Sequence, residues 1–188
     1  MATRTKTGQT VIDLLLDQHT QIKRLFSDVL SATGENKRDR FYELVRLLAV
    51  HESAEELVVH PIARRSIADG GPIVVARLEE EDKAKHTLSD LYSLGVDHPE
   101  FDVRLRALGE DVVEHATAEE TEEFAELRAA LSPADQVRLA EAVRAAEAAA
   151  PTRPHPMAGE SATANSLVGP PLAIFDRVRD ALRNWAHT

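Results

Sequence analysis

The stretch HESAEELVVHPIAR, His51 to Arg64, carries two histidines and three glutamates among apolar residues at helical spacing. A second stretch, HATAEETEEFAELR, runs from His115 to Arg128 and aligns with the first without a gap. Histidine falls on histidine, Ala-Glu-Glu on Ala-Glu-Glu, and arginine on arginine. The repeat predicts two similar helical hairpins, each with His-x-x-x-Glu on its second helix.

Composition sets the class of protein before any motif is considered. The chain has 188 residues, 43% of them hydrophobic and 29% charged, which suits one soluble, globular domain with an appendage. A formal net charge of −10 disfavours nucleic acid as a partner, because phosphate contacts need clustered Lys and Arg. Cysteine is absent, so any metal must be bound by imidazole and carboxylate. No apolar run is long enough to span a bilayer, and a cytoplasmic location is expected.

Helical periodicity continues through most of the chain, and alternating strand patterns are absent. Gly and Pro are scarce before residue 132. The pattern predicts four long amphipathic helices joined by short turns, over about Thr10–Ala32, Arg38–Ile67, Ile73–Leu94 and Phe101–Leu131. Short connections between such helices are typical of an up-down-up-down four-helix bundle, so the expected fold class is all-α.

Composition changes after the fourth helix. We expect the bundle to occupy residues 1–132, an accessory helix to follow over 133–150, and a Pro/Gly/Ser-rich linker to cover 151–171. Residues 172–188 are predicted to form a short amphipathic helix, whose apolar face holds Ile174, Val178, Leu182 and Trp185. This tail helix docks on its own bundle, pairs with a second chain to form a homodimer, or lies on a membrane surface; the last is disfavoured.

One histidine falls in or beside the apolar stripe of each bundle helix. Helical phase points His19, His51 and His115 at the bundle axis. On the third helix, His86 continues a row with Asp82 that lies beside the apolar face instead of inside it. Any one of these histidines alone would be expected to be an ordinary core residue.

Two glutamates follow the histidines at the spacing of one helical turn. Glu55 lies four residues after His51, and Glu119 four after His115, so each pair shares a helix face. A buried carboxylate without a partner is costly and requires a counter-charge. Two metal ions bridged by the two carboxylates would supply that charge, and this interpretation is favoured over a metal-free structural bundle.

This pattern resembles the hemerythrin-like family, the HHE cation-binding domains. The family pattern is a histidine on the first helix, His-x-x-x-Glu on the second, a histidine on the third and His-x-x-x-Glu on the fourth. The residues that match it are His19, His51 with Glu55, His86, and His115 with Glu119. The resemblance covers about residues 10–131. It implies two non-haem iron ions with an oxo or hydroxo bridge and two bridging carboxylates.

Three positions leave alternatives open. Either His86 alone serves the third helix, or Asp82 and His86 both do, since the repeat also places Asp82 at a ligand position. Glu52 directly follows His51 and either reaches one iron as an extra carboxylate or is solvated. His60 is nine positions from His51, which predicts the opposite helix face and a structural role.

The number of carboxylates among the expected metal ligands indicates which reactions the metal centre would suit. Anionic oxygen ligands favour Fe(III) over Fe(II), so the site is expected to suit reaction with O₂, peroxide or nitric oxide, or sensing of iron or redox state, better than O₂ carriage. Catalase- or peroxidase-like turnover would use such a small molecule as substrate. The alternative is a non-enzymatic iron or redox sensor that signals through its C-terminal helix.

Overall fold

A computed structural model describes residues 8–150, so the predicted linker over 151–171 and the tail helix over 172–188 lie outside the described residues. The described part is helical throughout and has no strand. Its α-helices are α1 (Val11–Ser31), α2 (Gly34–Ala54), α3 (His60–Ser66), α4 (Gly70–Leu94), α5 (Phe101–Ala118), α6 (Phe124–Ala130) and α7 (Pro133–Ala149). Single π-helical turns join α2 to α3 (Glu55–Val59) and α5 to α6 (Glu119–Glu123).

The expected all-α four-helix bundle is therefore confirmed, with α2–α3 and α5–α6 each forming one interrupted rod. The Thr10 side chain caps α1 by accepting a hydrogen bond from the Asp13 N–H at 3.2 Å. The amphipathic stripe of α1 is buried along its whole length, from Val11 to Val29. Gly95 ends α4 with a positive φ of 82°, a conformation that residues with a Cβ rarely adopt.

The apolar core is divided into two clusters. One holds Leu15, Ile62 and Phe124, and the other holds Leu44 and Phe101. The polar residues of the repeat lie between these clusters along the bundle axis, because His19 separates Leu15 from Ile22 on α1, and His51 follows Leu48 on α2. The flanking apolar layers keep this polar layer away from solvent.

The two π turns begin at the glutamates of the two His-x-x-x-Glu motifs. A π turn accommodates one extra residue, so residues after it are rotated by about 100° relative to a continuous α-helix. The rotation explains why His60, expected on the opposite face from His51, is instead buried inside the bundle and only 2% exposed. Glu123 is brought inward in the same way and is fully buried.

Helix α7 packs against α1 and α2 as a fifth rod. The Ser132 side chain caps it by accepting from the Asp135 N–H at 3.2 Å, and Pro133 stands in its first turn. Its buried residues Leu139, Ala140 and Val143 join the same apolar cluster as Leu15. No helix within residues 8–150 is long and apolar enough to cross a membrane.

Candidate metal centre

Three histidines from three different rods direct their Nε2 atoms at two glutamates. His51 Nε2 lies 3.2 Å from Glu55 Oε2. His19 Nε2 and His115 Nε2 lie 3.3 and 3.4 Å from the same oxygen, Glu119 Oε2. Glu55 and Glu119 are both completely buried, and the two His-x-x-x-Glu motifs face each other across the bundle axis.

The other ring nitrogen of each histidine is held by a polar side chain farther from the axis. The Nδ1 atoms contact Glu120 Oε1 (His19, 2.9 Å), Gln18 Oε1 (His51, 2.9 Å) and Glu80 Oε2 (His115, 2.8 Å). These acceptors favour the tautomer with hydrogen on Nδ1, which leaves Nε2 with a free lone pair. Such outer partners typically fix the orientation of metal-binding histidines.

Helix α4 contributes a third buried carboxylate, that of Glu81. Its Oε1 lies 2.6 Å from His60 Nε2, while its Oε2 has no hydrogen-bond partner among the described residues. Glu81 is 1% exposed and lies seven residues from both Val74 and Leu88, which are buried on the same face of α4.

These six side chains form two overlapping groups that could each hold one metal ion. His19 and His51 form one group with Glu55 and Glu119; Glu81 and His115 form the other with the same two glutamates. Within each group all the candidate ligand atoms lie within 4.8 Å of one another. Glu55 and Glu119 are therefore placed to bridge two cations.

Unpartnered buried atoms show that the donor set suits metal ions. Among the described residues, both carboxylate oxygens of Glu55 and of Glu119 lack a hydrogen-bond partner, as do His19 Nε2 and His115 Nε2. Buried polar atoms are normally satisfied, and an unsatisfied one costs about 1–3 kcal/mol. Imidazole and carboxylate are donors that first-row transition metals accept. The residues present fit a pair of such ions.

Next to the six candidate ligands, His60 lies between two buried carboxylates. Its Nε2 contacts Glu81, and its Nδ1 lies 3.1 Å from Glu123 Oε1. Burial by itself lowers the pKa of His60, but the charge of Glu81 and the hydrogen bonds to both glutamates outweigh it and raise the pKa well above 6.5. Burial raises the pKa of Glu81, yet the charge and hydrogen bond of His60, helped by Lys85, lower it to about 2. A charged imidazolium between two carboxylates results.

Burial shifts the pKa values of His51, Glu52 and Glu55 in the directions that favour their neutral forms. It lowers the pKa of His51 well below 6.5, and the charges of His19 and His115 lower it further. Burial also raises the pKa values of Glu52 and Glu55 well above 4.5. A neutral imidazole is the form that binds metal, whereas the carboxylates need a cation beside them to stay ionised.

A family model described as Hemerythrin HHE cation binding domain matches residues 10–127. The chain belongs to the hemerythrin HHE family. Membership implies metal binding, in agreement with the His and Glu cluster between α1, α2, α4 and α5. The matched segment contains all six residues of the cluster and stops before α7.

Individual relatives support this membership. An uncharacterized hemerythrin-like protein of Schizosaccharomyces pombe is 23% identical over 177 residues, which are 93% of this chain and 87% of that protein. A DNA nickase of Nostoc sp. (strain PCC 7120) is 27% identical over 128 residues, or 68% of this chain, but the match spans only 36% of that longer protein. The crystal structure of a hemerythrin HHE cation binding domain-containing protein from Mycobacterium kansasii superimposes with a TM-score of 0.66 at 19% identity, covering 74% of this chain and 86% of that one.

Within this hemerythrin HHE domain, the structure brings together five of the eight side chains that the sequence pointed to, namely His19, His51, Glu55, His115 and Glu119. Glu52 lies beside the cluster: it is buried, lines the adjoining cavity and belongs to neither group of candidate ligands. Its Oε2 has no hydrogen-bond partner among the described residues. Glu52 is therefore not the solvated residue that one alternative expected.

The expectation for the third helix needs a correction. His86 and Asp82 are 59% and 54% exposed and contact each other, with His86 Nδ1 3.6 Å from Asp82 Oδ2. The structure places Glu81 at the axis instead. One residue of a helix corresponds to about 100° of rotation, so Asp82 points away from the axis, and His86 is rotated by about 140° from Glu81.

Three residues around the histidines were not expected from the sequence, namely Glu81, Gln18 and Glu80. The signal for Glu81 was present, because the apolar residues Val74, Leu88 and Leu91 define the buried face of α4 and Glu81 is in phase with them. Gln18 and Glu80 each precede a cluster residue in sequence, but only the packing of neighbouring helices shows that they contact the histidines.

Proposed function

We propose that this protein binds two non-haem iron ions, bridged by Glu55 and Glu119, and that the loaded centre reacts with or senses O₂, peroxide or nitric oxide. His19 and His51 would hold one ion, and His115 and Glu81 the other. The observation that carries the proposal is the convergence of unpartnered, buried nitrogen and oxygen atoms on one place. The oxo or hydroxo bridge implied by the resemblance is part of the same proposal.

The donor set favours reaction or sensing over O₂ carriage. Replacement of the expected His86 by Glu81 makes the set three imidazoles and three carboxylates. Anionic oxygen donors stabilise Fe(III), so Fe(II) in this centre would give up electrons readily. When bound, the metal pair supplies two electrons, one from each ion, to a small oxidant. The protein holds the histidine tautomers fixed through the Nδ1 contacts, and an apolar cluster lies on each side of the centre along the bundle axis.

Metal analysis of the purified protein tests the proposal directly. Protein from iron-replete cells should contain about two irons per chain and show a visible ligand-to-metal band if the ions are bridged. Titration of the reduced protein with hydrogen peroxide and with nitric oxide would then separate turnover from stoichiometric binding. Colourless, metal-free protein that takes up no Fe(II) in vitro would contradict the proposal.

A sensor that signals through the C-terminal region is the second candidate, and one contact favours it. Gln18, whose Oε1 contacts His51 Nδ1, also donates from Nε2 to Glu147 on α7. Any change in His51 on metal binding or oxidation would reach α7, which leads into residues 151–188. We expect amide exchange along α7 to be slower in the metal-loaded protein than in the metal-free protein. Gln18→Leu should abolish this difference. Equal α7 exchange in loaded and metal-free wild type would count against the sensor.

A further inference from the structure

A cavity of about 210 Å³ opens beside the candidate metal centre. Its inner end is formed by residues of the centre, including His19, His51 and His115. A water molecule occupies about 30 Å³ in the liquid, and an apolar cavity of about 150 Å³ is large enough to hold benzene. The space is therefore several times larger than O₂, nitric oxide or hydrogen peroxide requires.

Most of the wall area of this cavity is apolar, although Glu52, Glu80 and Glu81 also line it. The apolar part is formed by residues of α1, α2, α4 and α5, namely Ile22, Leu48, Ala84, Val112 and Ala116. This apolar surface favours binding of an organic group over a row of water molecules, because water next to it could not make all of its hydrogen bonds.

The outer end carries paired charges. Lys83 lies 2.9 Å from Asp111, and Lys23 lies 3.3 Å from Glu120. Each lysine of the opening thus already faces a carboxylate, so neither provides a dedicated site for an anionic ligand. The cavity suits a neutral molecule with a small apolar group at one end and a polar group directed at the centre.

We propose that the cavity binds a small neutral organic hydroperoxide, with an alkyl or aryl group about the size of a benzene ring. This inference rests on the proposed function, because the ferrous pair is the source of electrons. Cleavage of the O–O bond of ROOH to ROH and H₂O takes two electrons and two protons; a bound ferrous pair would supply one electron from each ion, becoming Fe(III), and solvent would supply the protons. The apolar walls hold the R group while the hydroperoxide faces His19, His51 and His115.

Binding can be measured without metal. Cumyl alcohol, the product from cumene hydroperoxide, should cause saturable NMR shifts of the Ile22, Leu48 and Val112 methyl groups in the metal-free protein. Ala84→Leu, which fills the cavity from α4, should abolish those shifts. Ala107→Leu is the matched control, since Ala107 is exposed on α5 and outside the cavity. An absence of saturable shifts in the wild-type protein would overturn the inference.

Single turnover of the anaerobically reduced, iron-loaded protein tests the reaction. Ala84→Leu should slow oxidation by cumene hydroperoxide about tenfold or more relative to oxidation by hydrogen peroxide, because the smaller peroxide needs less of the cavity. Ala84→Val should give an intermediate loss, which guards against misfolding of the larger variant. Equal slowing with both peroxides, or reaction of the wild type with hydrogen peroxide alone, would overturn this inference only. Failure of both peroxides to oxidise the wild-type protein would overturn this inference and the peroxide reaction of the proposed function, whereas iron uptake and nitric oxide binding would test the rest of that function separately.

Discussion

At the scale of single residues, the strongest contrast lies between Glu81 and its neighbour Asp82. Glu81→Ala should reduce the iron content from about two to about one per chain, because it removes a buried oxygen donor from one of the two groups. Asp82→Ala should leave the content unchanged, since the Asp82 side chain is 54% exposed and contacts only His86 among the described residues. Elemental analysis of both variants, purified in parallel, is the measurement.

His86→Ala is a second control for the same experiment, and it should also retain both irons. The assignment of Glu81 would be wrong if His86→Ala or Asp82→Ala lost iron while Glu81→Ala kept it. The sequence pointed to five of the six side chains that the structure brings together, because apolar residues flank them in their helical stripes. It pointed to the wrong face of α4 because acidic residues occupy four consecutive positions, Glu79 to Asp82, and charge alone does not tell which one is buried.

At the scale of secondary-structure elements, the sequence predicted every long rod, since periodicity over twenty or more residues is a strong signal. It did not predict the π turns at Glu55–Val59 and Glu119–Glu123. A π turn leaves the residue pattern helical and changes only the phase after it, so counting at 100° per residue misplaces everything downstream. His60 and Glu123 were misplaced or overlooked for this reason, and both are buried next to the centre.

Helix α7 is predicted to stabilise one metal position through Glu147. Its carboxylate accepts from Gln18 Nε2, which fixes the amide so that Gln18 Oε1 faces His51 Nδ1. Glu147→Ala should weaken binding at the His19–His51 position about tenfold to a hundredfold, the usual cost of losing an outer partner. An anaerobic Fe(II) titration should show two binding steps, of which only one has a lowered affinity.

Two variants make the α7 prediction specific. Glu147→Gln keeps an acceptor oxygen for Gln18 and should restore most of the affinity. Glu141→Ala removes an exposed carboxylate from the same helix and should bind Fe(II) like the wild type. Equal weakening of both binding steps in Glu147→Ala would point to a general loss of α7 packing and would contradict the specific role.

At the scale of the whole molecule, the described bundle buries more carboxyl groups than cationic groups. Glu52, Glu55, Glu81, Glu119 and Glu123 are each at most 5% exposed. The nearby buried or half-buried cations are Arg77 and Lys85 together with the His60 imidazolium. Such an imbalance is costly in an apolar interior, so bound cations should contribute to stability as well as to chemistry.

Removal of metal should therefore destabilise the protein. Free Fe(II) at about a hundred times its Kd would add about 2.7 kcal/mol to the free energy of unfolding. That gain corresponds to a rise in Tm of roughly 5–10 °C for a domain of this size. Calorimetry with and without Fe(II) is the measurement, and Glu119→Gln, which alters a residue shared by both groups, should show no gain. An identical Tm with and without Fe(II) would show that the buried charge is compensated in another way.

The same buried groups set the pH dependence of the metal-free protein. Burial raises the pKa values of Glu52 and Glu55, and the partners of His60 raise its pKa, so the folded state binds protons that the unfolded state releases. Stability is then lost as pH rises from about 6.5 toward 8. Near pH 6.5 unfolded His51 still binds part of a proton, whereas folded His51, with its lowered pKa, is neutral, so this one group opposes the trend at the lower end of the window. Glu81 is ionised in both states and contributes no slope.

Metal should reverse this trend, because its ligands bind it only when deprotonated and its affinity rises with pH. The expected result is a Tm of the metal-free protein at least about 2 °C lower at pH 8 than at pH 6.5, together with a larger Fe(II)-induced gain at pH 8. A Tm of the metal-free protein that rises between pH 6.5 and 8 would mean that the buried glutamates are already ionised at pH 6.5. The counter-charge for the centre would then have to come from the protein itself, through groups such as Lys85 and the His60 imidazolium.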